Sequence, residues 1–125
     1  MSRLAIVGSR SFDDYALLKG TVDKFMTEHA TVNTIVSGGA QGADTLGAKY
    51  AKECAVQLVE YLPDWKKHGR AAGMIRNGII RNGTIIDNAD YVIAFWDGSS
   101  RGTLNSISRA KKADNLYSVV KFSPK

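Results

Sequence analysis

Short apolar runs that stop at turn-forming residues, with helix-length stretches between them, constrain this chain more than any other feature. Leu4-Ala5-Ile6-Val7 ends at Gly8, and Thr34-Ile35-Val36 ends at Ser37-Gly38-Gly39. Val56 to Leu62, Tyr91 to Trp96 and Tyr117 to Phe122 are further runs of the same kind. They lack strict alternation of apolar and polar residues, which suits strands of a parallel sheet covered on both faces. Between them lie helical periods. Leu18, Val22, Phe25 and Met26 form one stripe, and Ala43, Leu46, Gly47, Tyr50, Ala51 and Cys54 form a cleaner one at i, i+3, i+4, i+7, i+8 and i+11. A third helical region, weakened by glycines, spans residues 69–86, and a fourth runs from about Thr103 to Lys112.

The resulting order, β-α-β-α-β-α-β-α-β, predicts α/β architecture: a three-layer sandwich with a mainly parallel central sheet of about five strands. Ligands in such sheets lie beyond the carboxyl ends of the strands, near the point where strand order reverses. The segments to inspect are therefore Gly8 to Phe12, Ser37 to Asp44, Pro63 to Trp65 and Asp97 to Thr103. With 125 residues and no repeat or linker, a single domain over residues 1–125 is expected.

The 17 Lys and Arg against 12 Asp and Glu suit a phosphate-bearing ligand, but such an excess is also common on solvated surfaces and does not name nucleic acid. The lone cysteine, Cys54, cannot form an internal disulfide and is expected to be buried at the end of its stripe. Met1 leads into a strand pattern rather than a signal-peptide core, and no apolar run is long enough to span a bilayer. A cytoplasmic protein without membrane contact is the expectation. His29 and His68 have no partners at ligand spacing, so neither a metal nor another cofactor is expected.

Ser37-Gly38-Gly39-Ala40-Gln41-Gly42-Ala43-Asp44 joins a strand to a helix, an arrangement that aims backbone N–H groups at an anion. It lacks the Lys-Ser/Thr end of a Walker A loop and does not match GxGxxG. It reads either as a phosphate or ribose site or as a plain connection, and Asp44 either as a site residue or as a first-turn acid favoured by the helix dipole. Gly8-Ser9-Arg10-Ser11-Phe12 offers a guanidinium that grips phosphate or carboxylate, or else pairs with Asp13 or Asp14. Asp97-Gly98-Ser99-Ser100-Arg101-Gly102-Thr103 supplies hydroxyls, a second guanidinium and a second helix start. Arg76-Asn77 and Arg81-Asn82 repeat five residues apart, so in a regular helix they cannot share a face and one pair at most points inward. Trp65 either stacks on a base or covers the sheet edge.

Ile6 to Arg10, Val36 to Asp44, Ala72 to Asn77 and Ala94 to Thr103 together resemble the YspA-type, YpsA-related branch of the SLOG superfamily. The resemblance spans almost the whole chain and implies a Rossmann-like domain that binds nucleotides or nucleotide-derived ligands, in a homodimer or larger assembly. Its implied ligand residues are Gly8, Ser9, Arg10, Ser37, Gly38, Gly39, Gly42, Asp44, Arg76, Asn77, Arg81, Asn82, Asp97, Gly98, Ser100, Arg101, Gly102 and Thr103. LOG phosphoribohydrolases in this superfamily cleave N-glycosidic bonds with an Arg and the Glu of a PGGxGTxxE motif. Here the position three after Thr103 is Ser106, which favours a sensor or sequestering protein over the alternative, an N-glycosidase. Asp97, Asp44 and Asp87 are the substitute carboxylates to weigh. DNA-processing protein A shares a Ser-Gly-Gly-type loop, so single-stranded nucleic acid is the lesser reading of the partner.

Overall fold

The computed structural model describes residues 2–37, 42–60 and 85–123. Five strands, β1 (Ser2–Gly8), β2 (Val32–Ser37), β3 (Gln57–Glu60), β4 (Tyr91–Trp96) and β5 (Leu116–Lys121), form one sheet in the order β3-β2-β1-β4-β5. Every neighbouring pair is parallel. The described helices are α1 (Tyr15–Glu28), α2 (Ala43–Glu53) and α3 (Arg101–Ala113), with a helical turn over residues 85–87. This is the doubly wound α/β fold expected from the alternation of runs and stripes. The chain moves outward from β1 to β3 and then returns to lay β4 against the other side of β1.

Packing follows from which side of each strand is apolar. Leu4, Ile6, Ile35, Ile93 and Phe95 face Leu18, Val22 and Phe25 of α1 and Tyr50 and Ala51 of α2. Ala5, Val7, Val36, Val92 and Ala94 point the other way, against Ile107 and Ala110 of α3 and against Ile85 and Ile86. Both faces of the central strands are thus dry, which is why their sequences read as continuous apolar runs.

The helix ends are chemically specified. Asp14 caps α1 by accepting the Leu17 N–H at 3.0 Å, and Ser100 caps α3 by accepting the Thr103 N–H at 3.5 Å. At the other end of α3, Asp114 takes the left-handed conformation after Lys111 and Lys112, which favour the negative end of the helix dipole.

Two sequence expectations need correction. Cys54 is exposed, not buried: α2 stops at Glu53, and Cys54 leaves the helical stripe as its C-cap. The last helix begins at Arg101, so Arg101 and Gly102 belong to its first turn rather than to the loop. The third helical region lies outside the described residues except for its end, where Ile85 and Ile86 are buried. Trp65 and His68 also lie outside them.

Candidate functional site at the strand-order reversal

The reversal point lies between β1 and β4, and the chain leaving each strand there is fastened to the other. Ser9, only 1% exposed, donates its N–H to the Phe95 carbonyl at 2.9 Å. Its hydroxyl accepts the Asp97 N–H at 3.3 Å and lies 3.2 Å from the Thr103 hydroxyl, which donates to Ser100 Oγ at 3.2 Å. Phe12 N–H donates to the Ser9 carbonyl at 3.1 Å, closing a tight turn that leaves Arg10 and Ser11 exposed at its tip. Beneath it, Phe12 stacks on Phe95 with ring centroids 4.7 Å apart.

Helix α2 closes on the same point. A Cβ on Gly8 would stand 2.5 Å from the Phe95 carbonyl oxygen and 2.7 Å from Ala43 Cβ. Gly42, at φ 81°, would bring a Cβ to 2.3 Å from the Ser9 carbonyl oxygen. Only glycine permits this approach and this backbone conformation together. Gly42 is also the N-cap of α2 and, lacking a side chain, makes no side-chain cap bond of its own. Ser37 donates its hydroxyl to the Asp44 carbonyl at 3.0 Å, tying the end of β2 to the first turn of α2.

Three segments distant in sequence therefore share one rim: the β1 exit with Ser9 and Arg10, the start of α2 with Gly42 and Asp44, and the loop from Asp97 to Thr103. Gly38, Gly39, Arg76, Asn77, Arg81 and Asn82 lie outside the described residues. The polar residues at the rim divide into two kinds. Ser9, Ser37, Ser100 and Thr103 spend their hydroxyls on internal bonds, whereas the guanidinium groups of Arg10 and Arg101 are exposed and make no ion pair among the described residues. The alternative pairing of Arg10 with Asp13 or Asp14 is thus not formed.

Asp97 shapes the loop. Its Oδ1 accepts the N–H groups of Ser99 at 2.9 Å and Ser100 at 2.7 Å. These two bonds, Ser99 foremost, hold the carboxyl below the usual carboxylate range. The positive end of α3 is accordingly already supplied with a side-chain anion. Gly102 is not needed for space, since a Cβ there meets nothing within 4 Å.

Of the carboxylates weighed for N-glycoside cleavage, Asp44 and Asp97 lie at the rim and Asp87 does not. Ser106 is buried and donates to the Gly102 carbonyl at 3.2 Å. Asp87 precedes β4 at the opposite end of the sheet, in a 2.6 Å ion pair with Arg109. That guanidinium is also the first cause of its lowered pKa. Sequence reasoning missed two residues at the rim, Trp96 and Lys121. Trp96 reads as the end of one apolar run and Lys121 as a position within another, and only the pairing of β4 with β5 brings them side by side. Among the described residues no three His, Cys, Asp or Glu side chains gather to hold a metal, and no helix is long and apolar enough to cross a membrane.

A doubly wound parallel sheet whose loops meet at the order reversal defines the class: a Rossmann-like α/β domain. The chain belongs to the YspA, cpYpsA-related SLOG family (YAcAr), whose model matches residues 2–68. It is 30% identical over 131 aligned residues to the gene 61 protein of Mycobacterium phage D29, covering 100% of this chain and 99% of that protein.

Among solved structures, DNA processing protein A from Streptococcus pneumoniae superposes with a TM-score of 0.71 at 19% identity. That match covers 94% of this chain and 50% of the pneumococcal chain, so the present chain spans half its length. DNA processing protein A from Helicobacter pylori, described for its single-stranded DNA binding mode, matches with a TM-score of 0.61 at 20% identity, over 97% of this chain and 66% of its own. At these identities the likeness is one of fold.

Proposed function

We propose that this protein binds a nucleotide or nucleotide-derived ligand at the rim, as a sensor or sequestering protein. The observation that carries the reading is the meeting of the β1 exit, the α2 start and the Asp97 loop at the strand-order reversal, where sheets of this kind take their ligands. The ligand's phosphate sits on the backbone N–H groups of the loop from Ser37 to Asp44, at the start of α2, with Arg10 as the charged contact. Gly38 and Gly39 give the backbone its close approach, and Arg76 or Arg81 adds a second guanidinium. Binding is preferred to N-glycoside hydrolysis because Ser106 stands where the glutamate of that chemistry would be.

A second reading, single-stranded DNA, draws on the fold shared with DNA processing protein A. It ranks below the first because that likeness, at 19% and 20% identity, is one of fold alone.

Calorimetry against nucleoside monophosphates, NAD, ADP-ribose and a short single-stranded oligonucleotide, followed by an assay for released base, separates these readings. Arg10→Ala is expected to lose one charge-assisted contact, about ten- to 150-fold in affinity, with the fold intact. Gly39→Val should abolish binding by steric block. Lys24→Ala, on the exposed side of α1, is the control. Equal affinities for the folded native, Arg10→Ala and Gly39→Val proteins would move the site elsewhere.

A further inference from the structure

Lys121 stands at the rim on the far side of β4. Gly8 is the register partner of Phe95, Phe95 of Val120, and Trp96 of Lys121. Lys121 therefore leaves the sheet at the same end as Ser9 and Asp97, two strands from β1, or about 10 Å at ordinary inter-strand spacing.

Its side chain is held in place. The ammonium lies 5.9 Å from the centroid of the Trp96 ring, inside the range of a cation–π contact. The stem crosses the bend at Gly98, where φ is 90° and a Cβ would come within 2.9 Å of Lys121 Cε. A side chain at that position would displace the lysine. Trp96 is itself fixed, donating its indole N–H to the Ser100 carbonyl at 3.1 Å. The bend is fixed by the Asp97 carboxylate bound to the Ser99 and Ser100 amides. Lys121 nevertheless makes no ion pair among the described residues. Its stem is thus led across a bonded loop beside the candidate site.

We infer that Lys121 is a second anion contact of the rim, so that the site takes a ligand carrying two phosphate groups joined through a nucleoside. The inference rests on the nucleotide-binding reading above. The ammonium lies over the Gly98 bend, on the β4 side of the rim, whereas the start of α2 closes on Gly8 and Ser9. A ligand with one phosphate at the start of α2 and a second beside Gly98 lies across the carboxyl ends of β1 and β4 and reaches both. The same chemistry occurs in a small nucleoside bisphosphate and in a 5′-phosphorylated stretch of single-stranded DNA.

The test is calorimetry of the native protein, Lys121→Met and Lys121→Arg with three probes: adenosine 5′-monophosphate, adenosine 3′,5′-bisphosphate and 5′-phosphorylated dithymidylate. Circular dichroism checks that each variant is folded. The native protein is expected to bind at least one of the two-phosphate probes about tenfold or more tighter than the monophosphate. Lys121→Met should erase that advantage without changing the monophosphate affinity, and Lys121→Arg should keep most of it. Whichever two-phosphate probe shows the effect identifies the source. Lys121→Met affinities that are unchanged, or lowered equally for all three probes, would overturn the inference, as would a native protein that gains nothing from the second phosphate. In those cases the nucleotide-binding reading stands on the monophosphate affinity. Native protein that binds none of the three overturns both.

Discussion

At the scale of single residues, two glycines of neighbouring loops that look alike in sequence do different work. Gly42 combines a positive φ with a backbone approach to Ser9 that admits no Cβ, whereas Gly102 sits in the first turn of α3 with open space around it. Gly42→Ala is therefore expected to cost about 2 kcal/mol or more, from left-handed strain plus the clash. Gly102→Ala is expected to be neutral or to stabilise by up to about 1 kcal/mol, because alanine is the better helix residue. Urea denaturation of both variants checks this, and equal midpoints would mean that the contact between Gly42 and Ser9 relaxes at little cost. Nothing in the one-dimensional pattern separates these glycines, since both stand beside a helix start. The same limit explains Cys54, which keeps helical spacing in the sequence but follows the last helical residue, so that its side chain turns out of the stripe.

At the scale of elements, the loop from Asp97 to Ser100 is an N-terminal cap in which the anion comes from the chain itself. Ser100→Ala removes the side-chain acceptor for Thr103 N–H and should cost about 1 kcal/mol of stability. Asp97 adds a pH dependence of known sign. Its folded-state pKa lies below the unfolded value near 3.9, so its contribution is present above that value and fades as pH falls through the lower, folded one. The stability difference between native and Asp97→Asn proteins, followed by urea melts, should accordingly be constant at neutral pH and shrink on acidification below about pH 4. A difference that grows on acidification would show that the carboxylate is not the bonded form. The strand-loop-helix character of this segment was legible in Trp96-Asp97-Gly98-Ser99-Ser100, but its inward use of the carboxylate was not. Spacing shows that a carboxylate can reach the next amides; only the backbone geometry shows that it does.

At the scale of the whole molecule, the parallel sheet was legible because strands buried on both faces leave unbroken apolar runs, as in Leu4 to Val7 and Tyr91 to Trp96. The place of each loop on the sheet was not, since it depends on strand order and register. Asp87 and Asp97 are ten positions apart yet stand at opposite ends of β4, and Lys121 reaches the rim only through its pairing with Trp96. On the face covered by α1 and α2, two tyrosines tie the helices together: Tyr50 donates to Asp23 at 2.6 Å, and Tyr15 donates to Glu53. Burial first, and then these bonds to carboxylates, push both phenols well above their ordinary value. Each phenol thus holds its proton more tightly in the folded state. The stability this confers is complete below the unfolded value near 10 and is lost as pH rises through the folded ones. Ultraviolet titration of the native protein should show Tyr15 and Tyr50 ionising only together with loss of helical circular dichroism. Tyr50→Phe should lose about 0.5 to 1.5 kcal/mol at neutral pH, the net value of one hydrogen bond, and should show a shallower fall in stability above pH 10. If both phenols ionised near pH 10 with the circular dichroism intact, the α1–α2 clasp would be too loose to couple tyrosine ionisation to the fold.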